Sequence, residues 1–112
     1  MKSCEIVLGD YTDFHWDTLC VFPESASQVE IEKVLGKSLA DYEEMSVHEV
    51  FLERGVVVRH EQAFPDPEAP PRDGLVFDFP RGVEFLRYMP RTELRAAVKT
   101  HAGYRYFVLG SK

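Results

Sequence analysis

Apolar residues recur in short runs along the chain, and glycine, proline and aspartate residues separate these runs. Runs of about four to eight residues that are rich in β-branched and aromatic side chains are typical of strands. Four of the seven prolines lie within residues 64–73, which predicts an extended loop there because proline lacks a backbone donor. The pattern predicts strands at Cys4–Leu8, Trp16–Phe22, His48–Leu52, Val56–Glu61, Leu75–Phe79, Val83–Tyr88 and Tyr104–Leu109.

Two features of these predicted strands bear on how they pair. The Trp16–Phe22 run carries apolar side chains on both faces, which favours a place in the middle of a sheet. The strands His48–Leu52 and Val56–Glu61 join at Glu53-Arg54-Gly55, where glycine can supply a positive φ. We therefore predict a hairpin at this turn.

The segment after Pro23 has the pattern of a helix. Ser25 or Ser27 can serve as the N-cap, and Glu30 lies three residues after Ser27, as in a capping box. Gly36 stands where a helix commonly ends. The helix predicted between these signals has an apolar stripe formed by Val29, Ile31, Val34 and Leu35.

Two further segments have partly helical patterns. Residues 38–46 could form a short helical turn capped by Ser38. A helix is also predicted over Thr92–Thr100, with Pro90 near its first turn. Its core-facing residues would be Leu94, Ala97 and Val98.

Helices that interrupt runs of strands indicate an α+β fold. The 112 residues fit one domain, and we expect residues 1–112 to form it. We predict a mostly antiparallel sheet of about six or seven short strands, with two or three helices on one face.

The two cysteines, Cys4 and Cys20, are too far apart in sequence for a zinc signature. If residues 4–8 and 16–22 were antiparallel neighbours, Cys4 would lie opposite Cys20. A cross-strand disulfide would then be possible in an oxidising compartment. In a reducing compartment we expect two small apolar side chains in the core, and we favour this interpretation.

The charge is distributed unevenly. Residues 1–53 carry 12 acidic and 3 basic residues, whereas residues 54–112 carry 7 acidic and 10 basic residues. One interpretation is that the two halves meet in the fold and their charges mix on the surface. The other is an acidic face for a basic partner, because a concentrated field speeds association and selects charge.

The sequence contains no catalytic motif that we can assign. The serines lie in no nucleophile-elbow motif, and we name no catalytic residue. No HExxH motif is present, and we expect the scattered histidines His15, His48, His60 and His101 to be partly exposed. The densest polar cluster, Asp10, Asp13, His15 and Asp17, is better explained by turn formation than by a metal.

Several classes of ligand are not expected. The seven glycines are isolated, so no glycine-rich loop is predicted to hold a phosphate, and we expect no cofactor. The net charge of −6 argues against nucleic acid, and no apolar run is long enough to span a membrane. Met1–Glu5 lacks the apolar stretch of a signal peptide. We therefore expect a cytoplasmic protein, or a periplasmic or secreted one if a leader has been removed.

The stretch FHWDTLCVFP at residues 14–23, followed by a helix ending at Leu35-Gly36, resembles a pattern in small uncharacterised bacterial proteins. The shared pattern is a Trp-Asp pair, then a Val-Phe pair followed by proline, and then a helix that ends in Leu-Gly. In this chain it corresponds to Trp16-Asp17, Val21-Phe22-Pro23 and Leu35-Gly36. The segment Val50–Val58 is similar to their strand–turn–strand segment, and the resemblance covers half of the chain. It departs at Glu24, where those proteins often have tyrosine. The resemblance implies a bacterial source and a compact α+β domain, and transfers no catalytic residue.

These observations favour a non-enzymatic protein-binding domain, of an immunity or accessory type, that presents an acidic face to a basic protein. The residues predicted to form this face are Asp41, Glu43, Glu44, Glu49 and Glu53. Secondary candidates are Asp10, Asp13, His15 and Asp17.

Two alternatives remain open. The first is a small enzyme or ligand-binding domain with a site between the Asp10–Asp17 loop and the Arg81–Arg95 region. Its pocket would be lined by Trp16, Tyr88 and Tyr104. The second is an exported structural domain with a Cys4–Cys20 disulfide. Trp16 itself is predicted to anchor the core rather than to bind a partner, because the strand that it opens is apolar on both faces.

Overall fold

The computed structural model describes residues 2–63, 75–101 and 104–110. The loop predicted at 64–73 lies outside the described residues. Within them the chain forms a 3-10 turn at Leu8–Tyr11, one α-helix, α1 (Gln28–Leu35), and eight strands. The strands are β1 (Lys2–Val7), β2 (Thr18–Phe22), β3 (Val47–Glu53), β4 (Val56–Ala63), β5 (Leu75–Phe77), β6 (Leu86–Tyr88), β7 (Glu93–His101) and β8 (Tyr104–Gly110).

The strands form two four-stranded sheets rather than one sheet of six or seven strands. The first sheet has the order β1-β7-β8-β5, and the second has the order β4-β3-β2-β6. All neighbours are antiparallel except β5 and β8, which are parallel. The α+β class is confirmed, while the described residues contain one α-helix instead of two or three.

The two sheets pack face to face around one apolar cluster. The second sheet contributes Leu19, Val21 and Phe51, and the chain just before it contributes Trp16. From the side of the first sheet come Leu8, Phe77 and Leu109. Successive side chains of a strand point to opposite faces, so the odd-numbered residues of β2 and β3 form this face of the second sheet.

The even-numbered residues of β2 and β3 form a second apolar cluster on the opposite face. Cys20, Phe22, Val50 and Leu52 pack there against Ile31 of α1. The second sheet is therefore covered on both faces, by the first sheet and by the helix. This explains why β2 is apolar on both faces, and the prediction that it lies inside a sheet is confirmed.

Helix α1 begins and ends at the predicted signals. The Ser27 hydroxyl accepts a hydrogen bond from the Glu30 backbone N–H at 3.2 Å, and the Glu30 carboxylate accepts one from the Ser27 N–H at 3.1 Å. Gly36 ends the helix in the left-handed region, with φ at 73°. The capping box and the terminal glycine are thus confirmed.

The hairpin between β3 and β4 is also confirmed, with one irregularity. Arg54 and Gly55 both have positive φ, as a two-residue turn between twisted strands requires. In the register, Leu52 pairs with Val57 but Phe51 pairs with Arg59, so Val58 is an extra residue in β4. This β-bulge reverses which residues of β4 lie on each face beyond it.

The predicted helix at Thr92–Thr100 is wrong, because this segment lies in strand β7. The sequence ELRAAVKTH also has a period of two, in which Leu94, Ala96 and Val98 occupy alternate positions. In the fold β7 has antiparallel neighbours on both sides, β1 and β8. Pairing along both edges stabilises the extended form over the local helical propensity of a short segment.

The pairing of residues 4–8 with 16–22 is wrong as well. β1 pairs with β7 in the first sheet, whereas β2 pairs with β3 and β6 in the second. Cys4 has Ala96 as its register partner, and Cys20 is a buried free thiol in the helix-facing cluster. The geometry assumed for a Cys4–Cys20 disulfide is therefore not the geometry of the fold.

Candidate functional site

The acidic loop, which we define as residues 37–46, connects α1 to β3. It contains turns in place of the predicted short helix at 38–46. Asp41, Glu43, Glu44 and Met45 are exposed at its surface, and 68% of Met45 is accessible to solvent. The loop thus presents three carboxylates beside one large apolar side chain.

Helix α1 and the residues before it hold the first part of this loop. The Leu39 backbone N–H donates to the Glu32 carboxylate at 2.7 Å, and the Gln28 amide donates to the Leu39 carbonyl at 3.3 Å. The Leu39 side chain is buried in the helix-facing cluster. The Tyr42 hydroxyl donates to the Ala26 carbonyl at 2.9 Å. Both backbone groups of Leu39 are therefore satisfied by helix side chains.

Strand β4 holds the second part of the loop through one side chain. The Gln62 amide nitrogen donates to the Asp41 carbonyl at 2.6 Å, and its oxygen accepts from the Glu43 N–H at 2.6 Å. Within the loop, the Ser46 hydroxyl donates to the Glu43 carbonyl at 2.9 Å. Gln62 thus satisfies a donor and an acceptor of the loop backbone at the same time.

Two non-glycine residues of the loop adopt left-handed backbone conformations. Asp41 has φ of 59° and Met45 has φ of 65°. Aspartate tolerates this region because its short side chain can bond locally, but methionine gains no such compensation, and the conformation costs about 1–2 kcal/mol. Asp41 is held by the Gln62 bond to its carbonyl, and the residues near Met45 are held by the bonds of Glu43 and Ser46. Backbone conformations of this kind are common at functional sites.

A pair of histidines lies beneath the loop. His48 on β3 is completely buried, and its Nδ1 lies 2.8 Å from Nε2 of His60 on β4. The Nε2 atom of His48 lies 3.1 Å from both the Glu43 carbonyl oxygen and the Ser46 hydroxyl. The Tyr42 ring stacks on His48 with a centroid distance of 4.8 Å. The pair therefore contacts the loop backbone as well as its own strands.

Burial lowers the pKa of both imidazoles. For His48 the pKa falls mainly because the charged form loses solvation, and the neighbouring His60 lowers it further. For His60 the loss of solvation again dominates the lowered pKa, although the Ala40 backbone carbonyl and the Asp41 carboxylate act in the opposite direction. Near neutral pH both rings are therefore uncharged.

The expectation that the scattered histidines are partly exposed is wrong for His48. The pairing register of the β3–β4 hairpin decides whether His48 and His60 lie on the same face of the sheet. A hairpin turning at Arg54-Gly55 without a bulge would pair Glu49 with His60, on the face opposite His48. The extra residue Val58 instead pairs Val50 with His60, so both histidines lie on the helix-facing side. Sequence reasoning missed the pair because the bulge was not predicted.

The structure separates the five residues predicted to form the acidic face. Asp41, Glu43 and Glu44 lie together on the loop. Glu49 is only 7% exposed and lies on the face of β3 that packs toward the first sheet, so it does not belong to an exposed acidic surface. Glu53 is half-buried at the far end of β3, roughly 20 Å along the strand from the loop.

The secondary candidates do not converge on one point. Asp10, Asp13 and His15 are exposed. The Asp17 carboxylate accepts hydrogen bonds from the Arg54 N–H at 2.7 Å and the Thr18 hydroxyl at 2.9 Å. These bonds, the Arg54 bond first, hold the pKa of Asp17 below its ordinary value. Its observed role is to stabilise the start of the β3–β4 turn.

The alternative site between the Asp10–Asp17 loop and the Arg81–Arg95 region gains no support from the described contacts. Trp16 is buried in the core, and Tyr88 stacks on Phe77 at 5.8 Å. Arg87 lies over the Phe85 ring, on the helix-facing side of the second sheet. The side chains of Arg95 and Tyr104 lie outside the described part.

Comparisons with protein-family models, curated proteins and solved structures found no match to this chain. Across the described ranges, no helix has the length and apolar character needed to cross a membrane. The same residues bring together no group of three or more His, Cys, Asp or Glu side chains suited to a metal ion.

Proposed function

We propose that this chain is a non-enzymatic protein-binding domain, of an immunity or accessory type, whose acidic loop binds a basic surface of another protein. The observation that carries the proposal is the combination of a firmly held backbone and exposed side chains in one loop. Gln62 fixes the backbone on both sides of Tyr42, while Asp41, Glu43 and Met45 remain accessible.

The held backbone supports binding because it reduces the entropy lost on association. Ordering a flexible loop costs free energy when a partner binds, and a loop already ordered avoids that cost. The acidic loop is bonded to α1 through Leu39 and to β4 through Gln62. The left-handed conformation of Met45 further indicates that the fold maintains a specific loop shape rather than a relaxed one.

The exposed side chains support a partner of basic character. Three carboxylates, those of Asp41, Glu43 and Glu44, lie within four residues and have no basic residue among them. Such a patch attracts a positive surface and raises the association rate. Met45 adds a flexible apolar side chain beside the charges, suited to fill a small pocket on the partner. In this proposal Glu49 and Glu53 have no role in binding.

A cytoplasmic location forms part of the proposal. Cys20 is a free thiol buried among apolar side chains, which is compatible with a reducing compartment. In this proposal the chain binds its partner in the cytoplasm.

Neutralising the loop tests the proposal. The variant Asp41→Asn, Glu43→Gln, Glu44→Gln removes three charges with little change of shape, and asparagine tolerates the left-handed region. We expect its affinity for the basic partner to fall about three- to 150-fold, since three exposed charge pairs together contribute about 0.6–3 kcal/mol. The matched control is Glu24→Gln, Asp78→Asn, Glu84→Gln, which removes three exposed charges outside the acidic loop and outside the secondary candidates.

The wild type and both variants are first used as baits in affinity pull-downs, in low and moderate salt, to identify the partner. Titration calorimetry then measures the affinity of each form for the recovered partner. The proposal expects a stoichiometric partner that the loop variant binds weakly and the control binds normally. Recovery of no stoichiometric partner in either salt, or equal weakening by both variants, would contradict it.

A further inference from the structure

We propose that the His48–His60 pair acts as a pH-dependent latch for the acidic loop. Near neutral pH the loop keeps its observed hydrogen bonds, a state that we call closed. On acidification these bonds break and the loop leaves this position, a state that we call open. The inference rests on the proposed function, since it assigns a regulation to the same loop. The two histidines bond to each other between β3 and β4, and His48 also contacts the loop backbone at the Glu43 carbonyl.

The number of protons that the pair can hold follows from its contacts. When both rings are neutral, the Ser46 hydroxyl can turn from the Glu43 carbonyl and donate to Nε2 of His48 instead, and one hydrogen lies between His48 and His60. The remaining ring hydrogen of His60 can be donated to the Ala40 carbonyl, which acts on that ring as a hydrogen-bond partner. Every polar atom of the neutral pair then has a partner.

One additional proton also fits. It occupies Nε2 of His48 and is donated to the Glu43 carbonyl at 3.1 Å, while the Ser46 hydroxyl turns to the same carbonyl. A second additional proton does not fit, because Nδ1 of His48 and Nε2 of His60 would both carry hydrogens across 2.8 Å. The closed loop therefore accepts at most one proton, whereas two solvated histidines accept two.

The charged groups around the pair do not remove this limit. The loop contributes Asp41, whose carboxylate favours protonated His60, together with Glu43 and the stacked Tyr42. From α1, Glu32 is bonded to the Leu39 N–H. β2 places the uncharged Phe22 opposite His48 in the register. Glu49 and Glu61 are a register pair on the opposite face of the second sheet.

The direction of the pH dependence follows from the lowered pKa values of both histidines. Above their ordinary value of about 6.5 the rings are neutral in the open and closed loop alike, and the full stability of the closed loop is present. As pH falls through that value, the open loop takes up protons that the closed loop excludes. The closed state is therefore progressively lost, by about tenfold per pH unit for each extra proton taken up.

The test measures amide hydrogen exchange at Leu39 and Glu43, whose N–H groups bond to Glu32 and Gln62 only when the loop is closed. Protection factors are compared between about pH 7.5 and about pH 5.5, a range in which carboxylates stay ionised. We expect protection at both amides to fall about tenfold or more in the wild type. In His60→Gln, which keeps a polar group at the Nε2 position but has no second imidazole to titrate, we expect a clearly smaller fall, because only the buried His48 still takes up a proton.

The matched control is His15→Gln, because His15 is exposed in a different loop. It is expected to behave as the wild type. Unchanged protection in the wild type would overturn the latch, and so would an undiminished pH response in His60→Gln. If His60→Gln does not fold, the imidazole signals of His48 and His60 in the wild type are followed by NMR as the pH falls. Two independent titrations near the ordinary histidine pKa would overturn the proposal, because the closed loop would then accept both protons.

A second readout separates the latch from the proposed function. Binding of a fluorescent oligolysine peptide is measured at both pH values for the wild type, His60→Gln and the three-charge loop variant. The latch predicts that acidification weakens binding in the wild type more than in His60→Gln. Loss of amide protection with unchanged binding would overturn the regulatory link. Equal binding by the wild type and the loop variant at neutral pH would instead count against the proposed function.

Discussion

Trp16 shows how one residue connects the sequence pattern to the core. It is 7% exposed, its indole N–H donates to the Thr12 hydroxyl at 2.9 Å, and its ring meets Phe51 edge-on at 5.2 Å. We expect Trp16→Ala to reduce the free energy of unfolding by about 3–5 kcal/mol, because a large buried aromatic leaves a cavity. Denaturant unfolding measures this loss directly.

Trp16→Phe is the matched control for that substitution. It keeps an aromatic ring against Phe51 and removes the hydrogen bond to Thr12, so its destabilisation should be clearly smaller. Since the chain has one tryptophan, its native fluorescence reports on this position alone. A red-shifted emission that external quenchers reach would contradict the core position.

Met45 is the opposite case, a large apolar side chain that the fold leaves accessible. We expect Met45→Ala to leave the thermal unfolding midpoint nearly unchanged and to weaken partner binding by about tenfold, if Met45 fills a pocket on the partner. Met89→Ala is the control, because Met89 is 62% exposed outside the acidic loop. Equal affinity of the two variants would exclude a special role for Met45.

Sequence reasoning succeeded at residues whose environment is determined locally. The burial of Trp16 followed from an adjacent strand that is apolar on both faces. It failed at His48 and Glu49, which are buried although their types are usually exposed. Their burial depends on the packing of the loop and the first sheet over β3, and no local pattern near either residue indicates which segments cover them.

At the scale of elements, the same contrast separates α1 from β7. The helix carries its own start and stop, in the Ser27–Glu30 capping box and in Gly36, and was therefore predictable. Strand β7 depends on partners distant in sequence, β1 and β8, and its short segment fits both a helical and an alternating pattern. Local propensity decides an element only where distant pairing does not compete with it.

The β-bulge at Val58 is a second feature that sequence did not reveal. The turn at Arg54-Gly55 was predictable from glycine, but an extra residue in one strand leaves no clear signal in composition. This single insertion determines that His60 shares a face with His48. The candidate site was therefore predictable in its acidic residues 41, 43 and 44, and not in the histidine pair that lies beneath them.

At the scale of the whole molecule, the acidic and basic halves of the chain mix in both sheets. The first sheet combines β1 with three strands from the second half of the chain, and the second sheet combines β2 and β3 with β4 and β6. This arrangement fits the interpretation that much of the charge asymmetry is averaged over the surface. It leaves the acidic loop as a local concentration of negative charge, which is the surface that the proposal assigns to binding.

Binding through the acidic loop can be measured by NMR chemical-shift mapping of the ¹⁵N-labelled protein with its recovered partner, at neutral pH and low salt. If the acidic loop is the binding surface, the largest amide shifts will cluster at residues 39–46 and at Gln62, which is bonded to the loop. Smaller changes are expected in the Asp10–Asp17 loop. Shifts centred on Asp10–Asp17 or on Arg81–Arg91, with the acidic loop unaffected, would show that the acidic loop is not the binding surface.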